Sequence, residues 1–240
     1  MLKLENTEIV GWEHAIRGMR NPKNSWDRSD SCIATPVDCF CCEKLSDCNG
    51  NNWKTLSTHI GPNDHNLMSQ LAEGGPVHAK YRRMIAVYVD ITAPLYWWKE
   101  FDTYKVGTVA NSCSTMHKIA AKEFTLEDFS CEHLQGPCIV NLEETIKLLN
   151  YYRDLFNGTV EYDRRDGLDG KKVKKDWWWQ MIQLLPSSYN QKRTIMLNYE
   201  VLVGIYKWRR NHKLDEWHTF CDWIENLPYS ELITGRKGED

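Results

Sequence analysis

The sequence predicts an α+β fold that is rich in helix and has a small mixed or antiparallel sheet. Between residues 85 and 91 every second residue is apolar, the pattern of a strand with one buried face. Between residues 139 and 156 apolar residues recur at helical spacing over several turns. Helical segments outnumber the strand, and the chain contains no repeats, so one α+β domain over residues 1–240 is expected.

Start and stop signals divide the rest of the chain into shorter helices. They predict helices over residues 13–19, 64–73, 97–104, 177–185, 194–209 and 215–225. Asn63 is the expected cap of the second of these helices, and Asp176 of the helix over 177–185. Thr125 and Asp128 have the spacing of a capping box. The charged segment 164–175 is expected to be a loop.

Composition excludes several classes of protein. A net charge of −3 gives no basic signature for nucleic acid and no polybasic membrane patch. No apolar run approaches the roughly 20 residues that cross a bilayer, and the first residues lack the apolar core of a signal peptide. A cytoplasmic protein is therefore expected. The eleven Trp, with Trp97, Trp98 and the run 177–179 among them, predict an aromatic interface between subunits of a homo-oligomer.

Nine cysteines are present, and their clustering defines an insertion at about residues 31–58. Five of them lie close together: Cys32, Cys39, Cys41, Cys42 and Cys48. A structural zinc is one interpretation, because four thiolate ligands form a tetrahedral site. The spacing is not that of paired C-x2-C knuckles, however, so a reduced loop without metal is favoured.

The segment from Thr103 to His117 is the most informative in the chain. Small hydroxyl residues, an Asn and a His stand together there, after the apolar and aromatic run 91–98. Ser, Thr and Asn compete with the backbone for hydrogen bonds and weaken a helix interior. The segment is therefore interpreted as the lining of a pocket beside an apolar wall, with a capped loop between two helices as the alternative.

The order of these residues resembles the signature of the flavin-dependent thymidylate synthases. That pattern is Arg-His-Arg, two residues, Ser, one residue, Asn-Glu, one residue, Ser, one residue, Arg-Tyr. The Asn of the pattern falls on Asn111, its second Ser on Ser114 and its last aromatic on His117. The triplet falls near 104–106, where Lys105 is the one cation left. Three further positions differ, namely Val109 for Ser, Ser112 for Glu and Met116 for Arg.

A second resemblance lies in the C-terminal half. The family has an Asn that opens a helix ending in Leu-Arg, then a polar turn and a second helix with a Trp or Glu near its start. Here Asn198 and Arg209 have that spacing, and residues 216–217 are Glu-Trp. A looser match covers residues 74–78, where a Gly-Gly turn is followed by His78. Together the matches extend from about residue 60 to 228.

The resemblance implies a reaction and its participants. It implies methylation of dUMP to dTMP, with the carbon from methylenetetrahydrofolate and hydride from FAD that NADPH has reduced. It implies a homotetramer with the site at subunit interfaces. The residues implied at the cofactor are Lys105, Asn111, His117 and Asn198. Those implied at the nucleotide are Ser112, Ser114 and Arg209, with Ser114 as the catalytic candidate, a donor that polarises the base.

The departures from the pattern keep two alternatives open. Most of the cations that would hold FAD and dUMP are replaced, so a nucleotide-binding relative that sequesters or regulates without methylating is a second hypothesis. A related flavoenzyme acting on another pyrimidine is a third.

Overall fold

The computed structural model describes residues 2–34, 57–159 and 170–236. Its α-helices are α1 Trp12–Arg20, α2 Pro62–Glu73, α3 Leu95–Phe101, α4 Thr115–Lys118, α5 Pro137–Asn157, α6 Gly170–Leu184, α7 Tyr199–Arg209, α8 Asp215–Glu225 and α9 Glu231–Thr234. Its strands are β1 Lys3–Val10, β2 Cys32–Ala34, β3 Ser57–His59, β4 Ala86–Pro94, β5 Val109–Ser112 and β6 Asn190–Asn198. Short 3-10 helices cover Asn21–Lys23, Trp26–Arg28, Lys80–Met84 and Leu126–Asp128.

Four strands form the main sheet in the order β1-β4-β6-β5, and β2 pairs with β3 in an antiparallel hairpin. The predicted strand is β4, whose alternate residues Val87, Val89 and Ile91 are fully buried. On its other face Asp90 accepts a hydrogen bond from the hydroxyl of Thr194 at 2.6 Å. The predicted α+β class, rich in helix with a small sheet, is confirmed.

The chain divides into two compact units. The first unit comprises Met1–Glu5, Asp90–Thr103 and Ala110–Ile195, and the second comprises Asn6–Val89, Tyr104–Val109 and Met196–Asp240. In the first unit α5 packs against α6. The apolar side chains that meet there are Ile119, Ala120, Phe124, Phe129, Leu142, Ile146, Leu149 and Met181.

An aromatic cluster on α3 belongs to the core of the first unit. Trp97 and Trp98 are 0% and 1% exposed, and their rings meet edge to face at 4.9 Å. The indole of Trp98 donates to the carbonyl of Gln191 at 2.9 Å. The interpretation of Trp97 and Trp98 as interface residues is therefore wrong, because the apolar face of α3 is buried within its own unit.

Aromatic packing also organises the second unit. The ring of Trp12 on α1 meets the rings of Tyr199 and Tyr229 edge-on, each at 5.3 Å. The phenol of Tyr199 donates to the carbonyl of Pro228 at 2.6 Å. These contacts join α1, α7 and the turn before α9, so the N-terminal and C-terminal parts of this unit share one core.

A buried ion pair fixes the segment after α1. Arg20 and Asp64 are 3% and 0% exposed, and Nε of Arg20 donates to the Asp64 carboxylate at 2.5 Å. The other Asp64 oxygen accepts from the hydroxyls of Ser29 and Ser31. Burial raises the pKa of Asp64, but the hydrogen bonds from Ser31, Ser29 and Arg20 together lower it by more. The pKa of Asp64 therefore lies below the ordinary value.

The cap of α2 differs from the prediction. The helix begins at Pro62, with Gly61 rather than Asn63 in the cap position. Asp30 performs the capping from a distant part of the chain, since its carboxylate accepts from the amides of Asn63 and Asp64 at 2.9 and 3.1 Å. A cap supplied 33 residues away leaves no local signal.

Two element boundaries also differ. The helix predicted over 177–185 begins at Gly170, so Asp176 lies inside α6 and part of the predicted charged loop is helical. The helix predicted from Thr194 begins only at Tyr199, because residues 190–198 form β6. Ile195 and Leu197 are fully buried at alternate positions, as in a strand. This alternating run is too short to be recognised next to the longer helical pattern that follows it.

The helix predicted over 97–104 is α3, which covers Leu95–Phe101 and so ends before Tyr104. Two other predictions are confirmed. The helix α8 has the predicted bounds, and the Thr125–Asp128 capping box is present. In the described residues no helix is long and apolar enough to cross a membrane.

The Cys-rich insertion lies mostly outside the described residues. Cys32 lies in β2 and is partly buried. Cys39, Cys41, Cys42 and Cys48 fall outside the described part of the chain, so the reduced loop and the single-domain assignment remain predictions. Where side chains are described, no group of three or more His, Cys, Asp or Glu could hold a metal.

Candidate functional site

The residues predicted to form the site fall into two groups, one in each unit. The first unit contains Asn111, Ser112, Ser114 and His117. The second contains Lys105, Asn198 and Arg209. Each group forms a local arrangement with its own geometry.

In the first unit the signature segment is fastened to β6. The amide of Cys113 donates to the carbonyl of Lys192 at 2.9 Å, and the side-chain amide of Gln191 donates to the carbonyl of Cys113 at 2.8 Å. Asn111 and Ser112 precede this point in β5, whose residues are all exposed. Because both backbone groups of Cys113 are bonded, the residue that follows is held in a defined position.

Ser114 is that residue, and it caps α4. Its hydroxyl oxygen accepts from the amide of His117 at 3.1 Å. A hydroxyl has one proton to donate and two lone pairs, so this bond leaves the proton of Ser114 available to a ligand. The side chain of His117 is exposed.

Ser114 lines a cavity of ≈ 510 Å³ in the first unit. This volume lies within the range of about 300–1,000 Å³ that is typical of small-molecule sites. Its lining includes Thr92 and the run Cys113, Ser114 and Thr115. A second run, Tyr189, Asn190 and Gln191, also lines it. Of the four predicted residues in this unit, Ser114 alone belongs to the lining that the described residues form. The cavity is referred to below as the Ser114 pocket.

Charged groups surround the Ser114 pocket. Lys122 pairs with Asp128, and the hydrogen bond between them raises the pKa of Lys122. Lys192 lies 3.3 Å from Asp90 and 3.4 Å from Glu5. The pKa of Tyr189 is raised by burial and by the nearby Asp128 carboxylate, so its phenol is a neutral hydrogen-bond donor at neutral pH.

In the second unit Asn198 caps α7. Its side-chain oxygen accepts from the amide of Val201 at 3.0 Å, which leaves the two N–H groups of its amide for other partners. The 104–109 loop approaches this amide closely at Gly107, which has φ +78°. A Cβ on Gly107 would lie 3.1 Å from Nδ2 of Asn198, so both the φ angle and the space there favour glycine.

Two buried polar atoms near this cap lack hydrogen bonds. In the part of the chain that the structure describes, the hydroxyl of Thr108 and one carboxylate oxygen of Glu200 have no hydrogen-bond partner. Glu200 lies in the first turn of α7, and its carboxylate is 3.8 Å from the buried guanidinium of Arg82. Buried polar atoms are normally satisfied, so these two indicate a place where a polar ligand would complete the bonding. Lys105, in the same loop, is exposed.

Arg209 lies at the other end of α7 in an aromatic setting. Its Nε donates to the phenol oxygen of Tyr104 at 2.9 Å. The guanidinium carbon is 4.8 Å from the ring centre of Trp217, within cation–π range. The guanidinium is half-buried and its plane is fixed by these two partners, which is the arrangement that bidentate recognition requires.

Sequence reasoning missed several of these residues. Tyr104 was assigned only as a position of the lost triplet and Trp217 only as the Trp near the start of the second matched helix. Thr108 and Gln191 were given no role of their own. Tyr104 and Arg209 are 105 residues apart, so only the fold brings them together. Cys113 lies between two predicted serines, and this adjacency was the available signal.

Comparison with solved structures, but not with sequences, finds proteins similar to this chain. No protein-family model matches the sequence, and no curated protein does. The chain has the fold of the flavin-dependent thymidylate synthases, which confirms at the level of fold the resemblance drawn from the sequence.

The matches extend over nearly the whole chain. A ThyX structure from Helicobacter pylori, a complex with FAD and dUMP, has 12% sequence identity and a TM-score of 0.56, and covers 98% of this chain and 97% of its own. A second ThyX complex with FAD and dUMP from that organism has 13% identity and a TM-score of 0.58, with 97% of each chain covered. The UMP/dUMP methylase PolB from Streptomyces cacaoi, bound with 5-Br dUMP, has 10% identity and a TM-score of 0.54, covering 98% of this chain and 94% of its own.

Proposed function

We propose that this protein is a flavin-dependent enzyme that methylates dUMP to dTMP, with methylenetetrahydrofolate as carbon donor and NADPH as reductant. The observation that carries the proposal is that Ser114 lines a cavity of ligand size on this fold. Support also comes from the solved complexes of the same fold, which contain FAD and dUMP.

Each of the two groups of residues contains a proposed nucleotide contact. Ser114 would donate its free proton to an oxygen of the base or phosphate and so polarise it. Arg209 would bind a phosphate or the edge of the pyrimidine through its fixed planar fork. Ser112 is kept as a further nucleotide contact on β5.

The residues present suit a flavin in part. The cofactor FAD, when bound, supplies the hydride. Asn198 would hold it through its amide N–H groups, and the unsatisfied hydroxyl of Thr108 would gain a partner. Lys105 supplies a cation in the same loop, and Asn111 and His117 are exposed in the first unit as further contacts. These residues bind and orient; none of them needs to form a covalent bond.

A second candidate function is nucleotide binding without methylation. The specific observation in its favour is Glu200, whose carboxylate lies in the first turn of α7 beside the Asn198 cap. A negative charge there disfavours an anionic cofactor, although the Arg82 guanidinium at 3.8 Å offsets part of it. In that case dUMP would bind and no product would form.

Two measurements on the purified protein distinguish these functions. The first is the absorbance spectrum, which shows whether flavin copurifies or binds when FAD is added. The second is tritium release from labelled dUMP with FAD, NADPH and methylenetetrahydrofolate. Activity supports the enzyme. If dUMP binds but flavin does not, and no tritium is released, the result supports a nucleotide-binding protein that does not methylate. If flavin binds and another pyrimidine is turned over, the result supports a flavoenzyme with a different substrate.

The proposed assembly is a homotetramer. Among the described side chains, Trp208 is 71% exposed and Trp179 is 39% exposed, so aromatic surface is available for an interface even though Trp97 and Trp98 are not. Light scattering at micromolar concentration tests this, and a monomer would contradict the assembly.

A further inference from the structure

We propose that Arg193 is a positioning residue for Ser114. Arg193 fixes the side-chain amide of Gln191, and Gln191 in turn fixes the peptide group that joins Cys113 to Ser114. The inference rests on the proposed function for the role of Ser114 in the reaction. The contacts that carry it all lie within the first unit and are present without a ligand.

Three contacts hold the guanidinium of Arg193. Its Nε donates to Oε1 of Gln191 at 3.0 Å, and its Nη1 donates to the carboxylate of Asp102 at 2.8 Å. Its Cζ lies 4.1 Å from the centre of the Trp98 ring, within cation–π range. The side chain of Arg193 is only 13% exposed, so these partners determine its orientation. A lysine has one nitrogen where Arg193 uses two, so it could not keep both bonds in this geometry.

The bond from Arg193 determines which way the Gln191 amide points. A side-chain amide has an oxygen that accepts and a nitrogen that donates, and the two ends are similar in shape. A guanidinium can only donate, so the oxygen of Gln191 faces Arg193 and its nitrogen faces the carbonyl of Cys113, to which it donates at 2.8 Å. If the amide turned over, two oxygens would meet at Cys113. Gln191 is buried, so water offers little replacement for the lost bond.

The carbonyl of Cys113 controls how the chain enters Ser114, because this carbonyl and the amide of Ser114 belong to one planar peptide group. The amide of Cys113 also donates to the carbonyl of Lys192 at 2.9 Å. We call these two bonds to Cys113 the Cys113 anchor. Ser114 begins α4, which has only four residues, and a helix this short has little stability of its own. The position of the Ser114 hydroxyl therefore depends on the Cys113 anchor.

The helix α3 supports this arrangement from below. Trp98 packs against the guanidinium of Arg193 and donates from its indole nitrogen to the backbone carbonyl of Gln191 at 2.9 Å. Asp102 is the C-cap of the same helix. Trp98 is fully buried and keeps its bond to the Gln191 backbone when the arginine is replaced. A substitution at Arg193 should therefore disturb the Gln191 side chain and the Cys113 anchor without unpacking α3.

Two substitutions interrupt the contacts at successive steps. Arg193→Lys keeps a positive charge beside Asp102 and releases the Gln191 amide. Gln191→Glu keeps the acceptor for Arg193 and removes the donor to the Cys113 carbonyl. Arg153→Lys is the matched control, because Arg153 belongs to the same unit, is 18% exposed and is bonded to the adjacent Asp154.

Amide hydrogen exchange of the protein without ligand, followed by nuclear magnetic resonance, tests the Cys113 anchor directly. The amide of Cys113 reports on its bond to Lys192, and the amide of His117 reports on its bond to the Ser114 hydroxyl. Both amides should exchange about tenfold faster in Arg193→Lys and in Gln191→Glu, and at the wild-type rate in Arg153→Lys. Exchange along α5 should stay at the wild-type rate in all three variants.

Three results of the exchange experiment would overturn the inference. One is an unchanged rate at Cys113 and His117 in both variants. Another is an increase in Gln191→Glu alone, which would leave Arg193 without a role. The third is an increase that extends to α5, because it would show a general loosening of the unit rather than a displacement of Ser114.

Kinetics test whether this positioning serves the reaction. In tritium release from labelled dUMP, Arg193→Lys should lower kcat about three- to tenfold and change KM by less than about twofold, because a displaced donor costs more in the transition state than in binding. In the Ser114→Ala background the same substitution should have almost no further effect. An unchanged kcat, or losses that add up in the double variant, would overturn the positioning role while methylation stands. If wild type is inactive and the exchange results are as expected, the proposed function is overturned and the positioning of Ser114 stands.

Discussion

Arg209 and Tyr104 are joined by a hydrogen bond of 2.9 Å between the guanidinium Nε and the phenol oxygen. The bond orients an arginine at the end of α7 through a residue of the 104–109 loop, and Trp217 supports the guanidinium from the start of α8. A side chain held in this way loses little conformational freedom when a ligand binds. The pair therefore gives Arg209 a role beyond that of a charge placed at a helix C-terminus.

Replacement of Arg209 tests this role. Arg209→Lys keeps the charge and removes the planar fork, so the Kd for dUMP should rise by roughly 10- to 100-fold, and Arg209→Ala should weaken binding at least as much. Isothermal calorimetry measures both. Arg210→Lys is the control, since Arg210 is bonded to Asp222 on the surface. An unchanged Kd in both Arg209 variants would show that the residue is only a solvated helix end.

Replacement of Tyr104 tests the positioning step separately. Tyr104→Phe removes the phenol oxygen and retains the ring, so Arg209 keeps its cation–π contact with Trp217. We expect dUMP to bind about three- to tenfold more weakly, with the free energy of unfolding reduced by about 1 kcal/mol or less. The double variant with Arg209→Lys should show less than the sum of the two losses. Additive losses in this double-mutant cycle would mean that the two side chains act independently.

The sequence predicted those helices and strands whose apolar pattern extends over many consecutive residues. The apolar stripe of α5 and the bounds of α8 could be predicted because the signals for each lie within a single segment of the chain. The strand β6 was missed because its period is short and its pairing partner, β4, lies about a hundred residues earlier, as the Thr194–Asp90 bond shows. The cap of α2 was missed because Asp30 supplies it across 33 residues.

The same distinction holds for the candidate site. Motif spacing identified Asn198 as the residue that opens α7, and the structure has it as the N-cap. Spacing also selected Ser114 as a site residue, and the structure has it as the N-cap of α4, a helix that the sequence did not predict. The composition of this segment predicted that it lines a pocket, but gave no indication of the residues around Gln191 that also line it, because the two stretches meet through the pairing of Cys113 with β6.

Variants of Asn198 separate its structural role from its proposed cofactor role. Asn198→Ala removes the cap and should lower the free energy of unfolding by about 1 kcal/mol. Asn198→Asp preserves the acceptor for the Val201 amide, so stability should be retained, while the loss of the amide N–H groups should weaken FAD binding. Urea denaturation and fluorescence titration with FAD measure the two effects. FAD affinity that is unchanged in Asn198→Asp would remove this residue from the cofactor site.

The Arg20–Asp64 pair predicts a pH-dependent stability. The pKa of Asp64 is depressed in the folded state. Its carboxylate therefore stabilises the protein fully at pH values above the ordinary aspartate pKa of about 3.9. This contribution to stability is lost as the pH falls through the pKa of Asp64 in the folded protein. At pH 7 Asp64→Asn should be less stable by about 3–5 kcal/mol, because Arg20 is left buried without its counter-charge.

Comparison of the two proteins across pH isolates this pair from the other carboxylates. The difference between wild type and Asp64→Asn in urea denaturation should be constant from pH 7 to about 5 and should shrink below about 4. Asp27→Asn, at an exposed position near the same segment, should show little difference at any pH. A difference that does not shrink in acid would mean that the Asp64 carboxylate does not titrate as a stabilising group.

Substitution of Ser114 tests the catalytic proposal. Ser114→Ala removes the hydroxyl that the Ser114 pocket presents to the nucleotide, so tritium release from dUMP should fall by about tenfold or more. The lost bond to the His117 amide is at the surface of a short helix, so global stability should fall by less than about 1 kcal/mol. Ser187→Ala, an exposed serine of the same unit, controls for the substitution itself. A lower kcat with unchanged KM would indicate a donor that acts in the transition state. A higher KM with unchanged kcat would indicate a contact that is already made in the ground state. Wild-type activity that survives in Ser114→Ala would exclude Ser114 from the mechanism.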